Sequence, residues 1–425
     1  MALPSKKSKI IIIGAGPIGL EAALYALQAG YDVEVLEKGD IADHIRQWGH
    51  VRLFSPFYMN HTSLGRQVVE SEGRQLPDNQ AYLTGREFVD TYLTPLAKSS
   101  LLEPHIRTQT EVLAVGRRHI LKNEHIGNGH RRKEPFKLLI KKANGEEEYL
   151  HADIVIDCTG SYSQPNWLGD GGIPAIGELE NRKRIQYWLV DIAGASRNQY
   201  LGKTTLLVGG GHSAANTIVA FHSLFQEEPS TRLIWVTRQE GTAPLTPIPE
   251  DPLIERDRVV REANALSQHP NVNWLKGTFV EAIQFDETRQ QFRVSLRKSG
   301  SLQTVTVDHI IANVGYSPDN RLYQELQVHE CYASRAPMKL AAALLSEGSS
   351  TDCLTQSSKG AEVLKNPEPN FYVLGMKSYG KNTNFLMRVG HEQIRDVFQL
   401  ITGDDKLDLY EKAEESEKAK VKAKA

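Results

Sequence analysis

The chain has 425 residues, a length typical of two or three domains with large buried cores, which excludes a small peptide or a disulfide-bonded scaffold. With 50 Lys and Arg against 52 Asp and Glu, the formal net charge is −2, so no overall charge draws the protein to nucleic acid or anionic lipid. Hydrophobic residues at 40% and charged residues at 24% are ordinary for a folded globular protein.

Neither end of the chain carries a pattern for export or membrane insertion. Residues 1–10 (MALPSKKSKI) are a short polar lead, and no apolar stretch approaches the roughly 20 residues needed to span a bilayer. Residues 411–425 are rich in both charge signs, which predicts a frayed helical or disordered tail. The three cysteines, an odd and small number, favour a reducing compartment. We therefore expect a cytoplasmic protein without a membrane partner.

Two parts of the chain open with the same layout. The first has a strand over residues 9–13 (KIIII), a glycine turn over 14–19 (GAGPIG), a helix over 20–29 and a strand over 32–37. The second has a strand over 204–208 (TTLLV), a glycine turn over 209–214 (GGGHSA), a helix over 215–225 and a strand over 233–238. Both patterns predict the start of a βαβ unit.

Each opening is followed by three alternating segments and then by an apolar strand that stops at glycine. In the first copy these are 111–115, 136–141 and 147–150, with the strand at 153–160 (DIVIDCTG); in the second they are 278–285, 291–296 and 302–307, with the strand at 309–315 (HIIANVG). The predicted fold class is α/β, with two Rossmann-like dinucleotide-binding domains that each carry an antiparallel β-meander.

The first glycine turn predicts a dinucleotide site. Gly14, Gly16 and Gly19 have the G-x-G-x-x-G spacing, in which the first glycine permits the turn, the second admits a pyrophosphate and the third lets the helix pack closely. Glu37 ends the next strand 23 positions after Gly14, near the place where an acidic residue accepts hydrogen bonds from a ribose.

The second turn repeats the pattern with Gly209, Gly211 and Ala214. Aligning the second strands places Arg238 where Glu37 stands, and an arginine there can pair with a 2′-phosphate. This favours NADPH over NADH, the alternative being an Arg238 that faces solvent. Two sites in one chain need two ligands, so we assign FAD to the first and NADPH to the second, with hydride passing from nicotinamide to flavin.

These features resemble the flavoproteins with two dinucleotide-binding domains, which include flavin-containing and N-hydroxylating monooxygenases and thioredoxin-reductase-like enzymes. The resemblance covers nearly the whole chain and also rests on the motifs at 158–160 (CTG), 313–318 (NVGYSP) and 371–375 (FYVLG). The segments RQWG at 46–49 and TGSYSQP at 159–165 favour the monooxygenases within this group.

The resemblance implies a set of cofactor-binding residues in or beside these motifs. They are Gly14, Gly16, Pro17, Ile18, Gly19, Glu37, Lys38, Trp48, Val112, Thr159, Gly160, Gly209, Gly211, His212, Ser213, Ala214, Arg238, Gly315, Gly375 and Met376. No metal site is predicted.

The sequence also departs from the family pattern. The F-x-G-x-x-x-H fingerprint is not found between Pro165 and Lys203, which counts against Baeyer–Villiger or sulfide-oxygenating activity. Met376 follows Gly375 where the family has an Asp, which leaves ribityl binding to other groups. The cysteines, at positions 158, 331 and 353, form no C-x-x-C or C-x-x-x-x-C, which counts against thioredoxin-reductase chemistry.

The resemblance implies a peroxyflavin as the reagent, which needs a dry cavity more than acid–base machinery. The resemblance implies that the segment RQWG at 46–49 is a flavin loop. His50 and Arg52, which follow this loop, and Asn384, which precedes the late helix, are the candidate catalytic residues. Ordinary loop packing is the alternative for His50 and Arg52.

The predicted organisation is an FAD-binding domain in two parts, residues 1–165 and 316–405, with an NADP-binding domain at 166–315 and a charged tail at 406–425. Residues 321–370 form an insert that could roof a substrate pocket. We expect a flavoprotein monooxygenase acting with molecular oxygen on a small organic substrate. The alternatives are an NADPH-dependent reductase of a quinone-like or other small acceptor and a slow flavin-bearing sensor. No nucleic-acid partner is expected, and a homodimer stays open.

Overall fold

The computed structural model describes residues 8–346, 354 and 356–424, so Cys353 and the first residues of the polar lead lie outside the described part of the chain. The chain folds into two compact units. The first comprises Met1–Arg46, Ser55–Ser163 and Ser317–Ala425, and the second comprises Gln47–Phe54 and Gln164–Tyr316.

The strands, in chain order, are β1 (Lys9–Ile13), β2 (Asp32–Leu36), β3 (Ile106–Arg107), β4 (Thr110–Arg117), β5 (Phe136–Lys142), β6 (Glu147–Ala152), β7 (Ile154–Asp157), β8 (Thr204–Val208), β9 (Arg232–Thr237), β10 (Val272–Lys276), β11 (Thr278–Asp286), β12 (Gln291–Lys298), β13 (Ser301–Val307), β14 (His309–Ala312) and β15 (Phe371–Val373).

The α-helices are α1 (Pro17–Gln28), α2 (Asp43–Gln47), α3 (Ser63–Ser71), α4 (Gly85–Phe88), α5 (Thr94–Ala97), α6 (Glu178–Asn181), α7 (Arg197–Tyr200), α8 (His212–Glu227), α9 (Ile254–Leu266), α10 (Met338–Ser346), α11 (Met387–Thr402) and α12 (Leu409–Lys424). A π-helical turn, Val89–Leu93, joins α4 to α5.

The first unit is built on a parallel sheet with the strand order β15-β7-β1-β2-β3. Residues Ile10, Ile11 and Ile12 of β1 are completely buried, as expected for a strand covered on both faces. Ile11 and Ile13 pack in one core cluster with Phe136 and Leu138 of the meander β4-β5-β6. The meander therefore covers one face of the sheet.

The second unit repeats this plan with the parallel order β10-β9-β8-β14 and the meander β11-β12-β13. One core cluster joins the sheet to α8 and α9 through Phe221, Trp235 and Val259, and the other joins it to the meander through Leu206 and Val294. Each sheet thus lies between helices and a meander, which confirms the predicted fold class.

The last three residues of each glycine motif already belong to the helix that follows. Helix α1 begins at Pro17 and α8 at His212, both inside the motifs that we predicted to be turns. Pro17 suits this position because its fixed φ is helical and its missing N–H has no intrahelical partner there.

The residues of the charged tail form α12. The hydroxyl of Ser63 donates to Tyr410 O at 2.8 Å and the Gln67 amide donates to Ala413 O at 2.6 Å, so α3 holds the start of α12. No helix in the described part of the chain is long and apolar enough to cross a membrane.

Candidate functional site

The first glycine turn is shaped by close packing at two glycines and by open space at the third. Gly14 has φ +102°, and a Cβ placed on it would lie 2.8 Å from the carbonyl oxygen of Cys158. A Cβ on Gly19 would overlap the carbonyl oxygen of Gly14, whereas a Cβ on Gly16 would meet nothing within 4 Å. The protein thus requires glycine at 14 and 19 for its own packing, and it leaves room above Gly16.

The N-terminus of α1 faces this room without a side-chain cap. The N-cap residue is Gly16, which has no side chain to cap the helix. The first intrahelical bond runs from Leu20 N to Gly16 O at 3.0 Å. The N–H groups of Ile18 and Gly19 lie before the first bonded residue, Leu20, and therefore have no acceptor within the helix. Uncapped N–H groups together with the helix dipole make a site for an anion such as a pyrophosphate.

Glu37 braces the same turn. One carboxylate oxygen accepts from Ala15 N at 2.7 Å and the other accepts from Gly39 N at 2.8 Å. A carboxylate has about four acceptor positions, so two remain for the ribose hydroxyls that the sequence predicts. Neighbouring Lys38 forms an exposed 2.6 Å ion pair with Glu111.

The carboxyl edge of the first sheet holds a buried charged group that the sequence analysis missed. Asp157 ends β7 with a fully buried side chain, and Lys377 Nζ donates to its Oδ2 at 2.6 Å. The other oxygen of Asp157 accepts from Thr159 N at 3.0 Å and Thr159 Oγ1 at 2.7 Å. A charged residue closing the apolar run IVID was a signal for Asp157, but nothing local pointed to Lys377.

The predicted residues after β15 are placed against α1 and α11. The N–H of Gly375 donates to Gln393 Oε1 at 3.0 Å, so this donor is already committed within the protein. Ile18 packs its side chain between Gly375 and Gly390, and Met376 is half-buried. Asn384 donates its N–H to Asn382 Oδ1 at 2.9 Å, just before α11, whose N-cap residue makes no side-chain bond.

Val112 and Gly160 complete the predicted FAD-side residues. Val112 lies at a register shift between β4 and β5, and it packs half-buried on the core of the first unit. Gly160 has φ +69°, and a Cβ there would meet nothing within 4 Å. Glycine is therefore favoured at 160 by its backbone conformation, and the space beside it is open.

The second glycine turn has the same construction. Gly209 has φ +139°, and a Cβ on it would overlap the carbonyl oxygen of Asn313, whereas a Cβ on Gly211 would meet nothing within 4 Å. Gly211 is the N-cap of α8 without a side-chain bond, and Ala214 is fully buried inside that helix. His212 and Ser213 open α8. Both turns therefore fit the pyrophosphate of a dinucleotide.

Trp235, which the sequence analysis did not single out, fixes the second turn. Its indole N–H donates to Gly209 O at 2.8 Å from a fully buried side chain on β9. Arg238 is the first residue after β9, and its side chain is exposed. Among the described residues Arg238 makes no hydrogen bond or ion pair, so its guanidinium is free to take an anionic ligand. Gly315, with φ +79°, lies beside Asn166 in the same unit.

The candidate catalytic residues fall in different units. Trp48, His50 and Arg52 belong to the segment Gln47–Phe54, which groups with the second unit, whereas Asn384 lies in the first. Phe54 anchors this segment by packing on the α8 core and edge-on against His212, with ring centroids 5.3 Å apart. No unit by itself brings the three candidate catalytic side chains together.

The two cysteines among the described residues are both free. Cys158 lies beside the first glycine turn, and burial raises the pKa of its thiol well above the ordinary value. Cys331 begins the turn before α10, where hydrogen bonds from the hydroxyl and backbone of Ser334 lower the pKa of its thiol. The thiol beside the turn is therefore held in its unreactive, protonated form.

Comparison with known proteins gives a match over most of the chain. The protein-family model described as pyridine nucleotide-disulphide oxidoreductase matches residues 11–339. Bacilliredoxin reductase Bdr of Bacillus subtilis (strain 168) is 22% identical over 325 residues, covering 76% of this chain and 81% of that protein. A short stretch of 41 residues is 56% identical to kynurenine 3-monooxygenase of Aspergillus oryzae, only 8% of that protein.

Solved structures share the fold over nearly the full length. Bacillithiol disulfide reductase Bdr (YpdA) from Bacillus cereus has a TM-score of 0.68 at 18% identity, with 94% of this chain and 100% of that chain covered. The cadaverine monooxygenase DfoA from Erwinia amylovora, solved with FAD, has a TM-score of 0.63 at 12% identity, with 94% and 95% covered. The ornithine N-hydroxylase KtzI from Kutzneria sp. 744 has a TM-score of 0.63 at 14% identity, with 93% and 99% covered. The fold is thus shared by disulfide reductases and N-hydroxylating monooxygenases.

Proposed function

Because this chain belongs to the pyridine nucleotide-disulphide oxidoreductase family, whose members are FAD- and NADP(H)-dependent oxidoreductases, we propose that it is a flavoprotein monooxygenase that uses NADPH and molecular oxygen on a small organic substrate. The cofactors are FAD and NADP(H). The reaction at the substrate is the part that is proposed.

The observation that carries the proposal is the state of Cys158. A disulfide reductase that works through a protein thiol needs a thiolate beside the flavin, because the thiolate is the nucleophile. Cys158 is the cysteine beside the first glycine turn, and burial holds its pKa well above the ordinary thiol value. The cysteines at 158, 331 and 353 also form no C-x-x-C or C-x-x-x-x-C pair. We therefore propose that electrons pass from the flavin directly to a diffusible acceptor, and oxygen is such an acceptor.

The residues that would hold FAD are those of the first turn. The N–H groups of Ile18 and Gly19 would bind the pyrophosphate, which the open space at Gly16 leaves room for, and Glu37 would bind the ribose with its remaining acceptor positions. When bound, FAD supplies the two-electron chemistry that links NADPH to the acceptor.

The residues that would hold NADPH are those of the second turn. The uncapped N-terminus of α8 beyond Gly211 would bind the pyrophosphate, and the guanidinium of Arg238, which has no partner among the described residues, would bind the 2′-phosphate. Trp235 keeps the turn in place through its bond to Gly209 O.

Helix α10, which lies in the insert at 321–370, is the element that we propose excludes water from the flavin. Helix α10 buries Leu340, Ala341 and Leu344 on one face and packs on the segment Gly375–Tyr379 after β15. An apolar helix packed beside this segment would shield the FAD-binding side of the first unit from water.

A second candidate is an NADPH-dependent reductase of a small acceptor, without oxygen insertion. The similarity to bacilliredoxin reductase Bdr, which covers 76% of this chain, favours it. This candidate also fits a protonated Cys158, provided that the flavin reduces the acceptor without a protein thiol.

Labelled oxygen separates the two candidates. We would supply the FAD-loaded protein with NADPH and ¹⁸O₂, and test cadaverine, L-ornithine, menadione and bacillithiol disulfide as separate additions. Incorporation of ¹⁸O into an amine, coupled to NADPH consumption, supports the monooxygenase. Rapid reduction of menadione or the disulfide with no ¹⁸O in any product replaces it by the reductase.

A further inference from the structure

The geometry points to Lys377 as a positioning residue of the flavin site: paired with Asp157, its buried ammonium holds the segment Cys158–Gly160 against the glycine turn and sets the local charge that the bound flavin experiences. This inference rests on FAD binding at the first glycine turn. It does not depend on whether the enzyme inserts oxygen.

The first step is the hydrogen-bond network. Lys377 Nζ donates to Asp157 Oδ2 at 2.6 Å and to Thr159 Oγ1 at 3.0 Å. Thr159 in turn donates its hydroxyl and its N–H to Asp157 Oδ1, at 2.7 and 3.0 Å. The three side chains form a closed set, so the backbone just after β7 has one defined conformation.

The second step is the contact between this segment and the turn. A Cβ on Gly14 would lie 2.8 Å from Cys158 O and 3.3 Å from Thr159 Cα, so the two backbones touch at that point. A shift of Thr159 therefore moves the wall against which Gly14 packs. The network reaches the pyrophosphate cradle through this contact.

The third step is burial. The side chains of Lys377 and Asp157 are 1% and 0% exposed. Opposite charges interact strongly at such low solvent exposure, and removing either one leaves the other uncompensated. The ammonium also lies 4.9 Å from the ring centroid of Tyr323, which adds a cation–π contact.

The fourth step is location. Asp157 ends β7, and Lys377 lies a few residues after the adjacent parallel strand β15. In open α/β sheets ligands bind beyond the carboxyl ends of the strands, which is where this pair stands. Two well-packed apolar residues would often stabilise a protein as much as a buried ion pair does. Stability alone therefore does not account for a charged pair at this place, and we expect the pair to act on the charge of the ligand.

The experiment compares three variants with the wild-type protein. Lys377→Met removes the positive charge, Asp157→Asn removes the negative charge, and the double variant removes both at nearly constant shape. Lys381→Met is the matched control because Lys381 is an exposed lysine only four residues after Lys377. Each protein is stripped of FAD, titrated with FAD by fluorescence, and then measured for its flavin midpoint potential. Thermal unfolding of the apo forms checks folding.

We expect Lys377→Met to weaken FAD binding at least tenfold and to shift the midpoint potential to more negative values, because reduced flavin gains negative charge beside an uncompensated carboxylate. Asp157→Asn should shift the potential in the opposite direction. The double variant should lie between the two, and Lys381→Met should match the wild type. A merely structural pair would weaken binding in both single variants without opposite shifts in potential.

Two further results have fixed meanings. If Lys377→Met does not fold, Asp157→Asn and Lys377→Arg test the inference instead. Lys377→Arg keeps the positive charge, so its FAD affinity is expected to lie within a few fold of the wild-type value. Normal FAD binding with unchanged or same-direction potentials overturns the inference. Failure of the wild-type protein itself to bind FAD overturns the FAD site and the proposed function together.

Discussion

The carbonyl oxygen of Cys158 lies 2.8 Å from the point where a Cβ on Gly14 would stand. The end of β7 thereby limits position 14 to glycine, whereas Gly16, two residues later, has no atom within 4 Å of its own Cβ position. The two glycines are needed for different reasons, one for the fold and one for the ligand.

The glycine variants should therefore behave differently. Gly16→Val should leave the apo protein as stable as the wild type but remove bound FAD, because the side chain fills the space where the pyrophosphate approaches. Gly14→Ala should lose FAD and also lower the melting temperature, because of the contact with Cys158 and the positive φ. Absorbance at the flavin bands and thermal unfolding measure the two effects. Full flavin occupancy in Gly16→Val would remove the first turn as the FAD site.

Arg238 should determine the preference for NADPH. We compare kcat/KM for flavin reduction with NADPH and with NADH and express the ratio as a free-energy preference for NADPH. Arg238→Ala is expected to reduce this preference by about 1–3 kcal/mol, the usual size of a charge-assisted hydrogen bond. Arg293→Ala, at an exposed arginine of β12 in the same unit, is the control and should leave the ratio unchanged. An identical ratio in Arg238→Ala and the wild type would assign Arg238 to solvent.

Glu21 should make stability depend on pH. It is fully buried on α1, accepts from the Tyr92 hydroxyl and from Thr62 Oγ1 at 2.9 Å, and burial raises its pKa from 4.5 to about 7. The folded protein thus binds a proton more tightly than the unfolded chain. The stabilisation is complete below pH 4.5 and is lost as pH rises to about 7, a change of up to about 3 kcal/mol.

Glu21→Gln tests this dependence because glutamine keeps the shape and cannot ionise. Urea unfolding between pH 4.5 and 8 should show that the variant gains stability relative to the wild type as pH rises. Parallel curves for the two proteins would mean that folding does not raise the pKa of Glu21.

Replacing Glu368 should lower the stability of the fold strongly. Its buried carboxylate binds Arg117 Nε and Arg131 Nη2, both at 2.7 Å, and all three side chains are at most 1% exposed. Glu368→Ala should lower the free energy of unfolding by about 3–5 kcal/mol, because two buried guanidinium groups lose their partner. Glu134→Gln, which breaks a partly exposed pair with Arg118, should cost at most about 1 kcal/mol. Equal effects in urea titrations would contradict the buried network.

The sequence by itself determined the repeated architecture. Lys9–Ile13 and Thr204–Val208 were bounded correctly as strands because a buried parallel strand is a continuous apolar run ended by glycine, and that signal is local. The glycine spacing located both turns. Helices α1 and α8 start three residues earlier than predicted, because the turn and the first helical turn share residues. The strands predicted at 153–160 and 309–315 also end earlier, at Asp157 and Ala312.

Tertiary structure alone decided which polar groups meet. Lys377 follows Asp157 by 220 residues, and Arg117 and Glu368 are separated by 251, so no local pattern could pair them. The segment Gln47–Phe54 contains most of the RQWG motif at 46–49 and the candidates His50 and Arg52, and it groups with the second unit because Phe54 finds its apolar partners there. Periodicity reports whether a side chain is buried, but the partner of a buried charge is chosen by the folded chain, where each charge has to be compensated.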